Sequence, residues 1–207
     1  VITRPTPEGT RALSDEVAAA IAGGALYRKA SFLLDAAGEK LFPDFVSILE
    51  RPHIPRGMAS VPYDSEGVAT YDRDIVSGGV LQGYVLSSYS ARRLGLQTTA
   101  NAGGAQNLVV PGSDKDRQAL TREMGTGLVV EELIGHGVNG VTGDYSRGAV
   151  GYWVENGEIA YPVHEVTIAG NLRDLYQRIV AIGDDQDLRG GIRCGSLLVE
   201  EMTIAGA

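Results

Sequence analysis

Cysteine is almost missing from this 207-residue sequence: Cys194 is the single one, so no intramolecular disulfide can staple the fold, and a reducing compartment fits. Aromatic residues are also scarce, at 6%, while 28 glycines are nearly double the usual share of about 7%. That balance argues against a helical bundle and for a turn-rich fold of short strands. Basic residues are outnumbered, 18 against 26 acidic ones, for a formal net charge of −8, and Lys and Arg form no cluster. The basic face on which nonspecific binding to nucleic acid or an anionic membrane rests is therefore absent. No apolar run approaches the roughly 18 residues of a membrane-spanning helix. No secretory signal pattern is present, and a start at Val-Ile-Thr-Arg-Pro reads as an excerpt from something longer. Hydrophobic residues, at 43%, suffice for one sizeable core, so the expectation is a soluble, cytoplasmic, acidic domain.

Turn formers cut the chain into short elements. Residues 1–12 read as a lead-in. Ser14 is placed as the N-cap of a short helix closed by Gly23-Gly24. Ser31–Leu34 and Phe45–Leu49 read as strands, and 51–62 as a proline-rich loop. Two hairpins are the clearest signals: 68–76 with 80–86 around Ser77-Gly78-Gly79, and 149–154 with 158–163 around Glu155-Asn156-Gly157. Asn-Gly is the favoured type I′ pair. Helices are expected at 89–94, at 114–124, and from an Asn171 N-cap to Gly183, with a last strand at 197–204. Hairpins dominate, so the fold class is α+β: a curved, largely antiparallel, barrel-like sheet packed around a few helices. Residues 1–23 are assigned to a lead-in and short helix, and 24–207 to the domain proper.

Several motifs invite chemistry and fall short of it. Gly135-His136-Gly137-Val138-Asn139-Gly140 has the spacing of a dinucleotide fingerprint, but turn formers follow where a helix must open. His164-Glu165 lacks a second His, position 168 being Ile, and reads as a surface pair in a hairpin. His53 has no partner motif, and no G-x-S-x-G elbow supports a serine triad.

The stretch Gly127–Gly137 carries more. Were it helical, Glu132 and His136, four apart, would share a face, and Glu131 would join them only through a distortion near Gly135. Glu131, His136 and the thiolate of Cys194 are ligand types that zinc accepts, and Glu132 could serve as base for a metal-bound water. The competing reading is a solvated acidic face, a polar His at a helix end and a buried, inert cysteine. Downstream, Asp144-Tyr145-Ser146-Arg147 sits in a polar turn. Arg147 could position a peptide carboxylate, or the stretch could simply close the turn.

Larger blocks then resemble a known family. Gly137-Val-Asn-Gly-Val-Thr-Gly-Asp-Tyr-Ser-Arg-Gly-Ala149 is similar to the signature of the PmbA branch, also called TldE, of the TldD/PmbA proteins. So are Trp153-Val-Glu-Asn-Gly-Glu158, Tyr161-Pro-Val163, Thr167-Ile-Ala-Gly-Asn-Leu172, Ile182-Gly-Asp184 and Cys194-Gly-Ser-Leu-Leu-Val-Glu-Glu-Met202. Gly24 to Asp35, Asp64-Ser-Glu-Gly-Val68 and Leu86 to Gly95 fit the same branch.

The resemblance covers nearly the whole chain from Gly24. It implies the C-terminal half of a subunit about twice this length, β-rich and wrapped round helices. It also implies a cytosolic, zinc-dependent protease of peptides, associated with maturing peptide antibiotics, clearing unfolded peptides and gyrase inhibitors. In the TldD branch a His-Glu-x-x-x-His helix and a distant Cys hold the zinc; the PmbA branch is the partner that usually lacks the motif. Laid on this chain, the first His falls at Glu131, the Glu at Glu132, the second His at His136 and the Cys at Cys194. Zinc accepts a carboxylate oxygen, though with weaker expected affinity at a site built for imidazole.

Three readings follow. The chain belongs to a PmbA-type subunit of a TldD-containing homo- or hetero-oligomer, with zinc on the partner. Alternatively it is a zinc peptidase using Glu131, His136 and Cys194 as ligands and Glu132 as base. Or it is a non-catalytic scaffold that binds peptides or modulates gyrase without touching nucleic acid. In each, Asn139, Asp144 and Arg147 are candidates for contact with peptide.

Overall fold

A computed structural model describes residues 1–3 and 11–206. The first half of the chain holds β1 (Ile2–Thr3), α1 (Arg11–Ala20), α2 (Gly23–Tyr27), β2 (Ile48–Glu50), β3 (Arg73–Ser77), β4 (Val80–Leu81), α3 (Ser88–Leu94) and β5 (Leu108–Val109). The second holds α4 (Arg117–Met124), β6 (Gly127–Ile134), β7 (Asp144–Glu155), β8 (Glu158–Asn171), α5 (Leu172–Gln177), β9 (Ile179–Ile182), β10 (Ile192–Arg193), β11 (Leu197–Val199) and β12 (Thr203–Ala205). The class is α+β, with largely antiparallel sheets and few helices. Two compact units form: Val1–Ser14, Pro111–Asp187 and Cys194–Ala207 make the first, Asp15–Val110 and Leu188–Arg193 the second.

The first unit is built on a seven-stranded sheet in the order β12-β8-β7-β6-β1-β11-β9, antiparallel except where β1 lies parallel to β6. Its spine is the long β7–β8 hairpin. Asn156 and Gly157, at φ 52° and 80°, form the two-residue turn that this Asn-Gly pair favours, with Glu155 opposite Glu158. Helix α4 is capped by Asp116, whose carboxylate accepts from the Ala119 N–H at 2.7 Å. It buries Leu120 among Ile2, Val129, Val154, Ala181 and Leu198. Complete burial of such a leucine contributes about 1.5–3 kcal/mol.

The second unit carries a five-stranded sheet in the order β10-β5-β2-β3-β4, antiparallel except for β10 beside β5. Helix α3 starts at a Ser87–Ser90 capping box and stops at Gly95 in the left-handed conformation. Ile21, Leu26, Leu33, Ile75 and Leu81 form part of its buried interior.

Several expectations are corrected. Neither sheet closes on itself, so the barrel-like form is not adopted. Residues 31–34 are turns rather than a strand, because the Ser31 hydroxyl accepts from the Leu33 N–H and donates to the Ala20 carbonyl. The first hairpin turns through two residues, Gly78-Gly79, with Ser77 opposite Val80. Helix α1 begins at Arg11, which leaves Ser14 inside it. After α5 the segment Ile179–Ile182, rich in β-branched residues, pairs as a strand with β11 instead of prolonging the helix, with Ile179 opposite Val199 and Ile182 opposite Leu197.

The correction that matters for chemistry concerns 127–134, which is strand and not helix. Leu128, Val129 and Val130 are all buried, so both faces of β6 are covered there. An apolar run of that kind lacks the alternation by which a strand is read.

Candidate functional site

Because 127–134 is extended, the residues that a helix would gather are spread out. Glu131 is the extra residue of a bulge in β6: Val130 faces Gly151 and Glu132 faces Val150. Its carboxylate lies 3.3 Å from the Arg117 guanidinium on α4. Glu132 is exposed on the strand. His136 is exposed in the loop beyond Gly135.

Cys194 is buried, and its thiol lies 3.4 Å from the Gly195 carbonyl. Burial, reinforced by the Asp185 carboxylate, pushes that thiol up to about 12, so it stays protonated at neutral pH. Among the described residues, no three His, Cys, Asp or Glu side chains are grouped so that they could hold a metal ion. In this structure the thiol is buried and protonated, the His136 imidazole is exposed and the Glu131 carboxylate is held by Arg117, so the three are not gathered around one point.

The glycine-rich loop between β6 and β7 is, by contrast, tightly organised. Gly137 lies against β7 so closely that a Cβ there would sit 1.5 Å from the Ser146 carbonyl oxygen, which only glycine permits. Asn139 accepts from the Val141 and Thr142 N–H groups at 3.0 and 3.4 Å, forming an Asx turn. Asp144 accepts from the Thr142 hydroxyl at 2.6 Å and the Asn171 amide at 3.2 Å, which holds its carboxyl below the usual range. Asn171 thus ties this loop to β8 while capping α5 through the Arg173 N–H. Asn139 spends its side-chain oxygen, and Asp144 its carboxylate, on shaping the loop.

Arg147, on β7 opposite Ile168, differs from them. It is half-buried, and its guanidinium has no partner among the described residues, with Nε shielded completely. The structure therefore leaves Arg147 with its guanidinium donors free.

The second unit holds buried charge that sequence reasoning missed. Glu50, only 1% exposed, accepts from Arg73 Nε at 2.6 Å, from Asn101 Nδ2 at 2.7 Å and from the Gln106 N–H at 2.7 Å. Asp64 takes the Glu66 and Val68 N–H groups on one oxygen and the Ala102 N–H on the other, at 2.9, 2.9 and 3.0 Å. Burial raises its carboxyl, but the three backbone donors outweigh this and hold it below 3.8. Asp64-Ser-Glu-Gly67 was a readable Asx-turn signal for this role; Glu50 had none. His53 is held locally, with Nε2 3.0 Å from the Thr70 hydroxyl.

Comparison with known proteins supplies the remaining evidence. A family model described as the PmbA/TldA metallopeptidase C-terminal domain matches residues 6–206. Metalloprotease PmbA of Escherichia coli O157:H7 is 56% identical over 187 residues, covering 90% of this chain and 42% of that protein. The Metalloprotease TldD homolog of Haemophilus influenzae is 23% identical, covering 86% of this chain and 42% of that protein. A crystal structure from Bacteroides thetaiotaomicron, named as a candidate modulator of DNA gyrase, superposes with a TM-score of 0.94 at 32% identity. It covers all of this chain, which makes up 46% of it. The chain thus spans about two-fifths of the curated relatives' length.

Proposed function

The chain belongs to the PmbA/TldA metallopeptidase C-terminal domain family, and from that premise we propose that it is the C-terminal part of a PmbA-type subunit. That subunit assists a TldD-type partner in cleaving peptides in the cytosol and holds no metal of its own. The observation that carries this reading is the dispersal of Glu131, Glu132, His136 and Cys194 over an extended strand, an exposed loop and a buried site. The identity to a PmbA protein, 56% against 23% for a TldD homolog, points the same way.

In this reading the chain contributes binding and not bond cleavage. Arg147 is the residue assigned to peptide, since a guanidinium offers planar, paired donors to a carboxylate or to backbone carbonyls. Asn139 and Asp144 set the loop beside it. In this reading the chain supplies no nucleophile: the Cys194 thiol stays neutral, and Glu132 lies exposed on its strand.

The test is peptide cleavage by the full-length subunit, alone and after mixing with a TldD-type protein. No turnover is expected alone and turnover is expected in the mixture, where Glu132→Gln leaves the rate unchanged. A loss on the order of a hundredfold or more on Glu132→Gln would restore that carboxylate as a general base and overturn the reading.

A further inference from the structure

We propose that the groove between α4 and the β7–β8 turn binds the C-terminal carboxylate of a short peptide. Its volume of about 430 Å³ lies within the roughly 300–1,000 Å³ of small-ligand sites. Arg117, Gln118 and Arg122 line one wall, and Asn156, Gly157, Glu158 and Ile159 the other. All lie in the first unit.

Arg122 is the anchor. Arg51, Arg73 and Arg178 are each committed to a carboxylate, on Asp74, Glu50 and Glu201 respectively. Arg122, in a chain of net charge −8, is exposed in the groove and has no partner among the described residues. Its planar donor fork matches a carboxylate, with which it can form two parallel hydrogen bonds. The side-chain amides of Gln118 and Asn156 add N–H donors that a peptide's last carbonyl can use.

The groove is built rather than incidental. The Gly157 N–H donates to the Gly125 carbonyl at 2.7 Å, which pins the turn to the end of α4. A Cβ on Gly157 would approach the Arg122 Cα to 3.0 Å, so glycine lets the turn seat directly against the arginine. The turn and the backbone at Arg122 are thus set before a ligand arrives, and only the exposed guanidinium has to be ordered on binding.

Specificity follows from the rim. Ile159 is 56% exposed and offers an apolar contact to the peptide's last side chain. Glu158 repels a second carboxylate, so a peptide ending in an apolar residue is favoured over one ending in Asp or Glu. Arg117 joins the groove to Glu131, its partner at 3.3 Å, placing the bound peptide end beside the bulge of β6. The peptide class rests on the proposed function; recognition of the carboxylate rests on the groove itself.

The experiment is fluorescence anisotropy of N-terminally labelled Ala-Ala-Leu, as free acid and as C-terminal amide, against the full chain. The acid is expected to bind about tenfold or more tightly than the amide, as removal of a charge-assisted bidentate contact implies. Arg122→Gln is expected to bring the acid down to the amide's affinity, with Arg122→Lys between the two. An unchanged thermal midpoint shows that the exposed side chain was removed without unfolding the protein. Equal affinity of acid and amide, indifference to Arg122→Gln, or no binding of the acid at millimolar concentration each overturns the proposal. No partner subunit is present in this assay, so its failure is separable from failure of the cleavage test.

Discussion

Glu50 and Glu131 are both carboxylates set against an arginine, one in each compact unit, and the two pairs live under different physics. Glu50 is shut away from water and accepts three hydrogen bonds, the one from Arg73 at 2.6 Å, while Arg73 spends its other nitrogens on the Tyr84 carbonyl and Asn101. Glu131 meets Arg117 at 3.3 Å, with their side chains 20% and 34% exposed. In the second unit, buried charge is matched by several hydrogen bonds: Glu50 holds Asn101 and Gln106 against β2, and Asp64 ties the loop 64–68 to Ala102. In the first unit the residues with metal-ligand chemistry stay apart, each satisfied separately or open to solvent.

The steepest way to break this contrast is to delete the two carboxylates in turn. Glu50→Ala leaves a nearly buried guanidinium without its charge partner and is expected to cost about 3–5 kcal/mol. Glu131→Ala removes a partly exposed pair and is expected to cost less than about 1 kcal/mol. Urea unfolding of both variants checks this. Equal losses would mean that burial does not separate the two pairs.

A smaller effect sharpens the same contrast through pH. Asp64 titrates lower in the folded chain than in the unfolded one, where a carboxyl ionises near 3.9. Between those two values the unfolded chain binds the extra proton, so the contribution of Asp64 is complete above the unfolded value and disappears as pH falls through the folded one. Asp64→Asn is therefore expected to lose about 1–3 kcal/mol at pH 6, a gap that closes below about pH 4. A gap that persists unchanged at pH 3 would deny the carboxylate this role.

How much of this was legible in the sequence depends on the range of the determining interaction. The Asn156-Gly157 turn, the Asn171 cap, the Gly95 stop and the Asp64 turn are each decided by a residue and its immediate neighbours, and each could be read. Strand β6 could not, because Leu128-Val-Val130 is covered on both faces and one of its neighbours, β1, lies far away in the chain. Only a helix there would bring Glu132 and His136 onto one face, and the segment is extended. The Arg122 groove was equally hidden, since it needs α4 and a turn more than thirty residues later. Cys194 was visible as a lone cysteine, but its neutral, buried state is set by packing and by Asp185.

The proposal that the chain holds no zinc on Glu131, His136 and Cys194 is tested by elemental analysis of the chain purified without chelator. Less than about one tenth of a zinc per chain is expected, because affinity requires deprotonated, converging ligands. Close to one zinc per chain, lost on His136→Ala or Cys194→Ala, would show that these residues do converge on a metal.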